Sequence, residues 1–299
     1  MLKTRALAKR RRAVRNIWKI TRTMGLIATA RFRRAADRAL AMADYTGHLE
    51  SILEHLRVAD WAHKSPYWRA PSGPEACRYV LLIASNRGLC GGYNTALVRV
   101  LAAYWQKHNL AGDGNRWRLE ISGKRAASML RFSGITPAEI YTHFGEKLRA
   151  EDVDVLAGRF WDLYLTGALA SLDVVYMALE TLSRQTPLVE RLLPPAEAGG
   201  RIHKESAWEL PTFFQFELLP EAIRATNWLI REVFFARLKR AFFDAAASEQ
   251  IARMIAMRAA TENAENMLSR LAMMYNRARQ TQITSELVEL MSAAEALQR

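Results

Sequence analysis

Residues 221–299 read EAIRATNWLIREVFFARLKRAFFDAAASEQIARMIAMRAATENAENMLSRLAMMYNRARQTQITSELVELMSAAEALQR, a run with neither proline nor glycine. These two residues weaken a helix interior more than any others, so their absence predicts one unbroken helix of up to about 115 Å at ~1.5 Å per residue. A globular domain has no need of such a length. The run therefore predicts a lever or shaft.

A shaft needs a partner for its apolar stripe. Met257, Ala260, Ala264, Met267, Leu271, Met274, Ala278 and Thr281 recur in steps of three and four, the spacing of a left-handed coiled-coil seam. A matching helix is expected at the other end of the chain, where no proline precedes Pro66. There Phe32, Ala35, Ala39, Met42, Thr46, Leu49, Leu53 and Leu56 take the same step, while Ile17, Ile20, Met24 and Ile27 form an earlier, offset set, which predicts a stutter between them. Gly25 and Gly47 are weak points, each costing about 1 kcal/mol against alanine. Two terminal helices leaving one central domain pair most simply antiparallel.

Half of the 299 residues are apolar, enough for a core. No run of eighteen apolar residues suggests a membrane span. Cys77 and Cys90 lack metal-ligand spacing and are read as reduced thiols. Residues 1–38 hold thirteen Lys or Arg against Asp37 alone, so they carry twelve of the thirteen net positive charges. Such a helix has four readings: a nucleic-acid arm, a membrane-surface helix, a targeting peptide, or a shaft segment facing an acidic protein wall. Trp18 and Phe32, its only aromatics, sit among aliphatics and form no stacking platform, which counts against nucleic acid. The helical pattern runs on to Leu56 without a cleavage-like break, which counts against a targeting peptide.

Between Pro66 and Pro220 short β-rich runs alternate with helical ones. Strands are expected at residues 79–85, 117–122, 139–144 and 172–179, and helices at 94–108, 123–131 and 152–169. That alternation predicts a Rossmann-like α/β domain with a largely parallel sheet. The expected division is an N-terminal coiled-coil helix at 1–64, the central α/β domain at 65–220 and a C-terminal coiled-coil helix at 221–299. The Gly-rich turn Gly88-Leu89-Cys90-Gly91-Gly92 matches neither the dinucleotide fingerprint nor a phosphate loop, and Gly123-Lys124 lacks the upstream glycine and the hydroxyl residue. Both are read as strand-to-helix turns, and no cofactor is expected. No histidine pair has zinc-ligand spacing, no nucleophile motif is visible, and no catalytic or metal site is expected.

Three separated blocks resemble the γ subunits of F-type ATP synthases. Ile20-Thr21-Arg22-Thr23-Met24, Ala28 to Ala30 and Arg31-Phe32-Arg33-Arg34-Ala35 are similar to the family's N-terminal run. Ser85-Asn86-Arg87-Gly88-Leu89-Cys90-Gly91-Gly92-Tyr93-Asn94 resembles its S-D-R-G-L-C-G-G-x-N turn. Ser248-Glu249-Gln250, Tyr275-Asn276-Arg277-Ala278-Arg279-Gln280 and Ile283-Thr284-x-Glu286-x-x-Glu289 follow its C-terminal blocks. Asn86 in place of Asp, Gly25 after the methionine, Ser285 for Gln and Ala293 for Gly depart from it and leave room for a divergent or alternative copy.

The resemblance implies a non-catalytic rotor shaft, peripheral at the cytoplasmic face of a bacterial inner membrane, coupling proton- or sodium-driven rotation to ATP synthesis or hydrolysis at the β subunits. Its implied partners are the α and β subunits of the catalytic ring, the ε subunit and the membrane c-ring, with no nucleic acid and no transmembrane segment of its own. It places Met24 near the coupling contact, Arg279, Gln280, Thr284 and Glu286 near a catch with the β subunit, and a structural turn at residues 88–94. Residues 203–216 are expected at the foot, near ε and the c-ring. The small, apolar tip at 287–297 suits a loosely gripped bearing. Two other readings stay open from the residues alone: a basic coiled-coil nucleic-acid-binding protein, and a nucleotide-dependent enzyme built on the α/β domain.

Overall fold

The computed structural model describes residues 2–57, 65–69, 76–108, 116–145, 148–181, 184–195 and 221–297. Its elements run α1 (Leu2–Arg57), a 3-10 turn (Pro66–Trp68), β1 (Cys77–Ile83), α2 (Tyr93–Lys107), β2 (Trp117–Ser122), α3 (Lys124–Phe132), β3 (Glu139–Tyr141), α4 (Ala150–Leu165), β4 (Leu169–Thr181), β5 (Arg184–Leu193) and α5 (Ala222–Leu297). The chain forms two compact units, one of residues 30–252 and one of residues 1–29 with 253–299.

In the larger unit five strands lie in the order β3-β2-β1-β4-β5. The first four are parallel, as the strand-helix alternation predicts. β5 is the exception, pairing antiparallel with β4 at the sheet edge. Its sequence, RQTPLVERLL, does not read as a strand because of Pro187 and its charges. An edge strand leaves one row of backbone groups unpaired, so a residue without an N–H is tolerated there.

α4 stops at Leu165, four residues short of the predicted end. Gly167 at φ +78° takes the left-handed conformation that ends helices, and the chain then enters β4 at Leu169. The sheet is buried on both faces. Val80, Leu82, Leu119, Ile121, Val175 and Met177 pack under α2 and α3. The alternate residues Tyr79, Leu81, Ile83, Leu172, Val174 and Tyr176 pack under α4 and the parts of α1 and α5 within this unit.

Those helix parts behave differently from each other. α1 presents the predicted seam, with Ala39, Leu53 and Leu56 buried and Phe32, Ala35, Met42 and Leu49 packed against the core. Thr46 is buried too, its hydroxyl satisfied by donating to the Met42 carbonyl at 2.7 Å. In α5 every residue from 233 to 248 is buried or half-buried. A stretch covered on all sides is the centre of a core, not one strand of a two-stranded seam.

In the smaller unit α1 and α5 run antiparallel. Thr4 donates to Gln282 at 2.9 Å, Trp18 to Glu265 at 2.8 Å, and Thr261 to Thr21 at 2.9 Å, while the Arg11 guanidinium lies 5.3 Å from the Tyr275 ring centre. Partner numbers fall as α1 advances. Val14, Ala264 and Leu271 are buried here, with Leu7, Trp18 and Leu268 packed around them.

The register corrects two expectations. On α1 the covered positions at this spacing are Thr4, Leu7, Arg11, Val14, Trp18, Thr21, Gly25 and Ala28, with Met24 and Thr29 half-buried beside them, and four residues later Phe32 continues the step, so there is no stutter. Ile17, Ile20 and Ile27 are exposed. On α5 the covered stripe is Met257, Thr261, Ala264, Leu268, Leu271, Tyr275, Ala278 and Gln282, with predicted Ala260 half-buried at its margin, so every second predicted position shifts by one residue and Met267 and Met274 face outward. Apolarity alone misjudged both helices. Thr21, Thr261, Tyr275 and Gln282 enter the seam because their polar groups find partners across or along it, and Gly25 and the alanines let the backbones close.

Candidate functional site

All five residues singled out by sequence lie in the smaller unit, at two separate stations. Met24 is half-buried on α1, next to Gly25, and a Cβ on Gly25 would sit 3.6 Å from Cβ of Met257. Arg279 lies 22 residues beyond Met257 on α5, roughly 33 Å along a helix at ~1.5 Å per residue. Met24 therefore does not meet the other four.

At the second station Arg279, Gln280, Thr284 and Glu286 are all exposed. Arg279, Ile283 and Glu286 follow one another at four and three residues, and Gln280, Thr284 and Leu287 do the same beside them, so both rows share one side of the helix. The Thr284 hydroxyl donates to the Gln280 carbonyl at 3.0 Å. Glu286 accepts from Gln282 Nε2 at 2.8 Å, and Gln282 Oε1 accepts from Thr4 of α1 at 2.9 Å. A chain of hydrogen bonds thus runs from the seam to Glu286. Beyond it Leu287, Val288, Leu290 and Met291 are all more than half exposed.

Exposed Ile17, Ile20 and Ile27 accompany Met24 at helical spacing. Sequence reading assigned them to the seam and so missed them as surface. Their signal was present: they are out of step with the Phe32 series, and residues out of step with a continuous seam must face away from it.

The turn between β1 and α2 is built from its own side chains. Asn94 Oδ1 accepts the Ser85 N–H at 3.1 Å, and its Nδ2 donates to Ser85 Oγ at 2.8 Å and to Cys90 Sγ at 3.3 Å. The Tyr93 hydroxyl, buried, donates to the Ala245 carbonyl of α5 at 3.1 Å. Asn86 Nδ2 donates to the carbonyls of Thr142 at 3.0 Å and Phe144 at 2.7 Å, while its Oδ1 accepts the Lys124 N–H at 3.2 Å. An aspartate could not make the first two bonds. Gly123, at φ +112°, has no room for a side chain, since a Cβ would lie 2.6 Å from the Ala84 carbonyl carbon.

Two buried carboxylates brace the sheet. Asp173 on β4 accepts from Arg191 at 2.8 and 3.2 Å and from the Tyr104 hydroxyl at 2.8 Å. Glu120 on β2 accepts from Tyr141 at 2.8 Å and pairs with Arg159 of α4. Burial first, and then the neighbouring carboxylate, raise both phenols well above their ordinary range. These groups tie helices and strands together inside the core. Among the described residues no cluster of His, Cys, Asp or Glu could hold a metal ion, and no helix is long and apolar enough to cross a membrane.

Long terminal helices paired antiparallel, with an α/β unit formed by the chain between them, define the class. The chain belongs to the ATP synthase family, whose family model matches residues 3–297. It is 40% identical to an ATP synthase gamma chain of Rhodopirellula baltica over 298 residues, covering all of both chains. It is 32% identical to the ATP synthase gamma chain of Moorella thermoacetica, over 99% of this chain and all of that one. Among solved structures it resembles a chain of the Euglena gracilis mitochondrial ATP synthase (OSCP/F1/c-ring) with a TM-score of 0.63 and 18% identity, covering 98% of this chain and 94% of the other. A chain of the Tetrahymena thermophila mitochondrial ATP synthase central stalk and c-ring gives 0.57 at 19% identity, covering 81% and 99%. These two likenesses establish the fold.

Proposed function

We propose that the chain is the central rotor shaft, the γ subunit, of a proton- or sodium-translocating F-type ATP synthase, and that it couples c-ring rotation to ATP synthesis or hydrolysis at the β subunits. The observation that carries this is the 40% identity to a gamma chain over 298 residues, across the length of both chains. The chain is a subunit of a complex and is not itself catalytic. Its partners are the α and β subunits around the helix pair, and ε and the c-ring at the α/β unit. It is peripheral, at the cytoplasmic face of a bacterial inner membrane.

Function divides the chain at the boundaries the sequence suggests: residues 1–64 and 221–299 as the shaft, and 65–220 as the body that receives torque. Met24, with its exposed isoleucines, serves as the lower contact, and Arg279, Gln280, Thr284 and Glu286 as a catch on the β subunit. Exposed apolar and weakly paired charged groups suit surfaces that must be gripped and released in turn, since exposed ion pairs are worth only about 0–1 kcal/mol. Successive β-subunit sites then change nucleotide affinity as different sides of the shaft face them. The foot expected at residues 203–216 lies outside the described residues.

Nucleic-acid binding gains no support from the relatives. Trp18, which a stacking platform would need, is half-buried and committed to Glu265. Reconstitution decides the main reading: the purified chain with α and β subunits of a relative should form a complex that hydrolyses ATP. Failure of the chain to enter that complex counts against it.

A further inference from the structure

We infer that Glu50 and Arg237 form a register key that fixes the axial position of α1 against α5 inside the larger unit, and that this key lets torque pass between the helices without slip. The inference rests on the rotor reading above. Arg237 Nε donates to Glu50 Oε1 at 2.6 Å, with the two side chains only 10% and 8% exposed. Glu50 Oε2 is buried with no hydrogen-bond partner among the described residues. A buried pair with an unsatisfied oxygen is a poor device for stability, because desolvation offsets the attraction between the charges. What such a pair does well is to specify one register.

The apolar surroundings suit that role. Leu53 and Leu56 of α1 and Leu229, Phe234 and Leu238 of α5 belong to one apolar cluster. Apolar contact is non-directional and tolerates a slip of one residue, about 1.5 Å along a helix. A bond of 2.6 Å between buried charges does not, since slip would leave both unpaired in a low dielectric. A second bond between these helices in this unit, Tyr45 to Glu232 at 3.1 Å, is exposed and correspondingly weak.

The test replaces both charges, Glu50→Met with Arg237→Met, in the assembled synthase in vesicles. ATP hydrolysis, ATP-driven proton or sodium uptake, and the distance distribution between spin labels on Ile52→Cys and Arg231→Cys are measured, with Cys77 changed to serine. The double variant should keep hydrolysis while uptake per ATP falls by about threefold or more, and the label distribution should broaden or split, as expected when a specificity device is removed from a well-packed core. Arg237→Lys, which restores a cation, should recover most of the coupling. If the double variant does not assemble, Glu50→Gln replaces it, and a narrow distribution with full coupling there overturns the key. Full coupling and an unchanged distribution in the double variant overturn it as well, leaving the rotor reading intact. Failure of the unaltered chain to assemble overturns the rotor reading instead.

Discussion

Leu271→Ala measures whether the helix pair is held as described. The side chain is 4% exposed and is clustered with Val14 and Ala264, with Leu7, Trp18 and Leu268 around it. Truncation removes three carbons, about 2.4 kcal/mol at ~0.8 kcal/mol for each buried methylene-sized group. A term for the residual cavity adds to this, and leucine truncations span about 2–5 kcal/mol. Small neighbours such as Ala264 cannot swing in to fill the space, but solvent is close on both sides of a two-helix seam, so a loss of about 2–3 kcal/mol is expected. Met274→Ala is the control. It belongs to the seam on apolar spacing alone, but the structure leaves it 56% exposed, so its loss should stay under about 0.5 kcal/mol. Urea unfolding of both variants, followed by helix circular dichroism, gives the two numbers. A larger loss for Met274→Ala than for Leu271→Ala would refute the observed register.

Gly25→Ala should stabilise the chain by up to about 1 kcal/mol, because helix propensity favours alanine and the new Cβ meets Met257 at 3.6 Å, an ordinary contact; thermal unfolding reads the gain. Asn86→Asp should destabilise by about 1–3 kcal/mol, since it points a carboxylate at the Thr142 and Phe144 carbonyls in place of two donated hydrogen bonds; the same unfolding assay applies. The raised phenols of Tyr104 and Tyr141 predict a stability contribution that is whole below pH 10.0, where folded and unfolded chains are both protonated. It is lost as pH rises beyond that, because the unfolded phenol ionises first. Changing both to phenylalanine should flatten the alkaline part of the stability profile, measured by denaturant unfolding at a series of pH values.

Elements with strong local signals were legible in the chain itself. β2 runs over the predicted residues, α5 follows from the absence of glycine and proline, and α1 from the absence of proline before Pro66 and its heptad spacing. What eluded sequence reading depends on partners. β5 carries Pro187 and becomes a strand only because β4 offers an edge. The seam admits Thr21, Thr261 and Gln282 in preference to Ile17, Ile20 and Met274 because hydrogen bonds across the pair satisfy polar groups that periodicity counts as misfits. The burial of α5 over residues 233–248 belongs to the sheet packed beside it and is invisible in a helix period. Of the site, the positions of Arg279, Gln280, Thr284 and Glu286 on one exposed side of α5 follow from spacing. The surface isoleucines around Met24 emerge only once the register is known.

Rotation is the central claim, and a single-molecule assay reaches it most directly. With the α and β subunits of a reconstituted complex fixed to a surface and a probe attached to the chain at an exposed position such as Phe132, addition of ATP should turn the probe in one direction in three-fold steps. A complex that hydrolyses ATP while the probe stays still would contradict the rotor assignment.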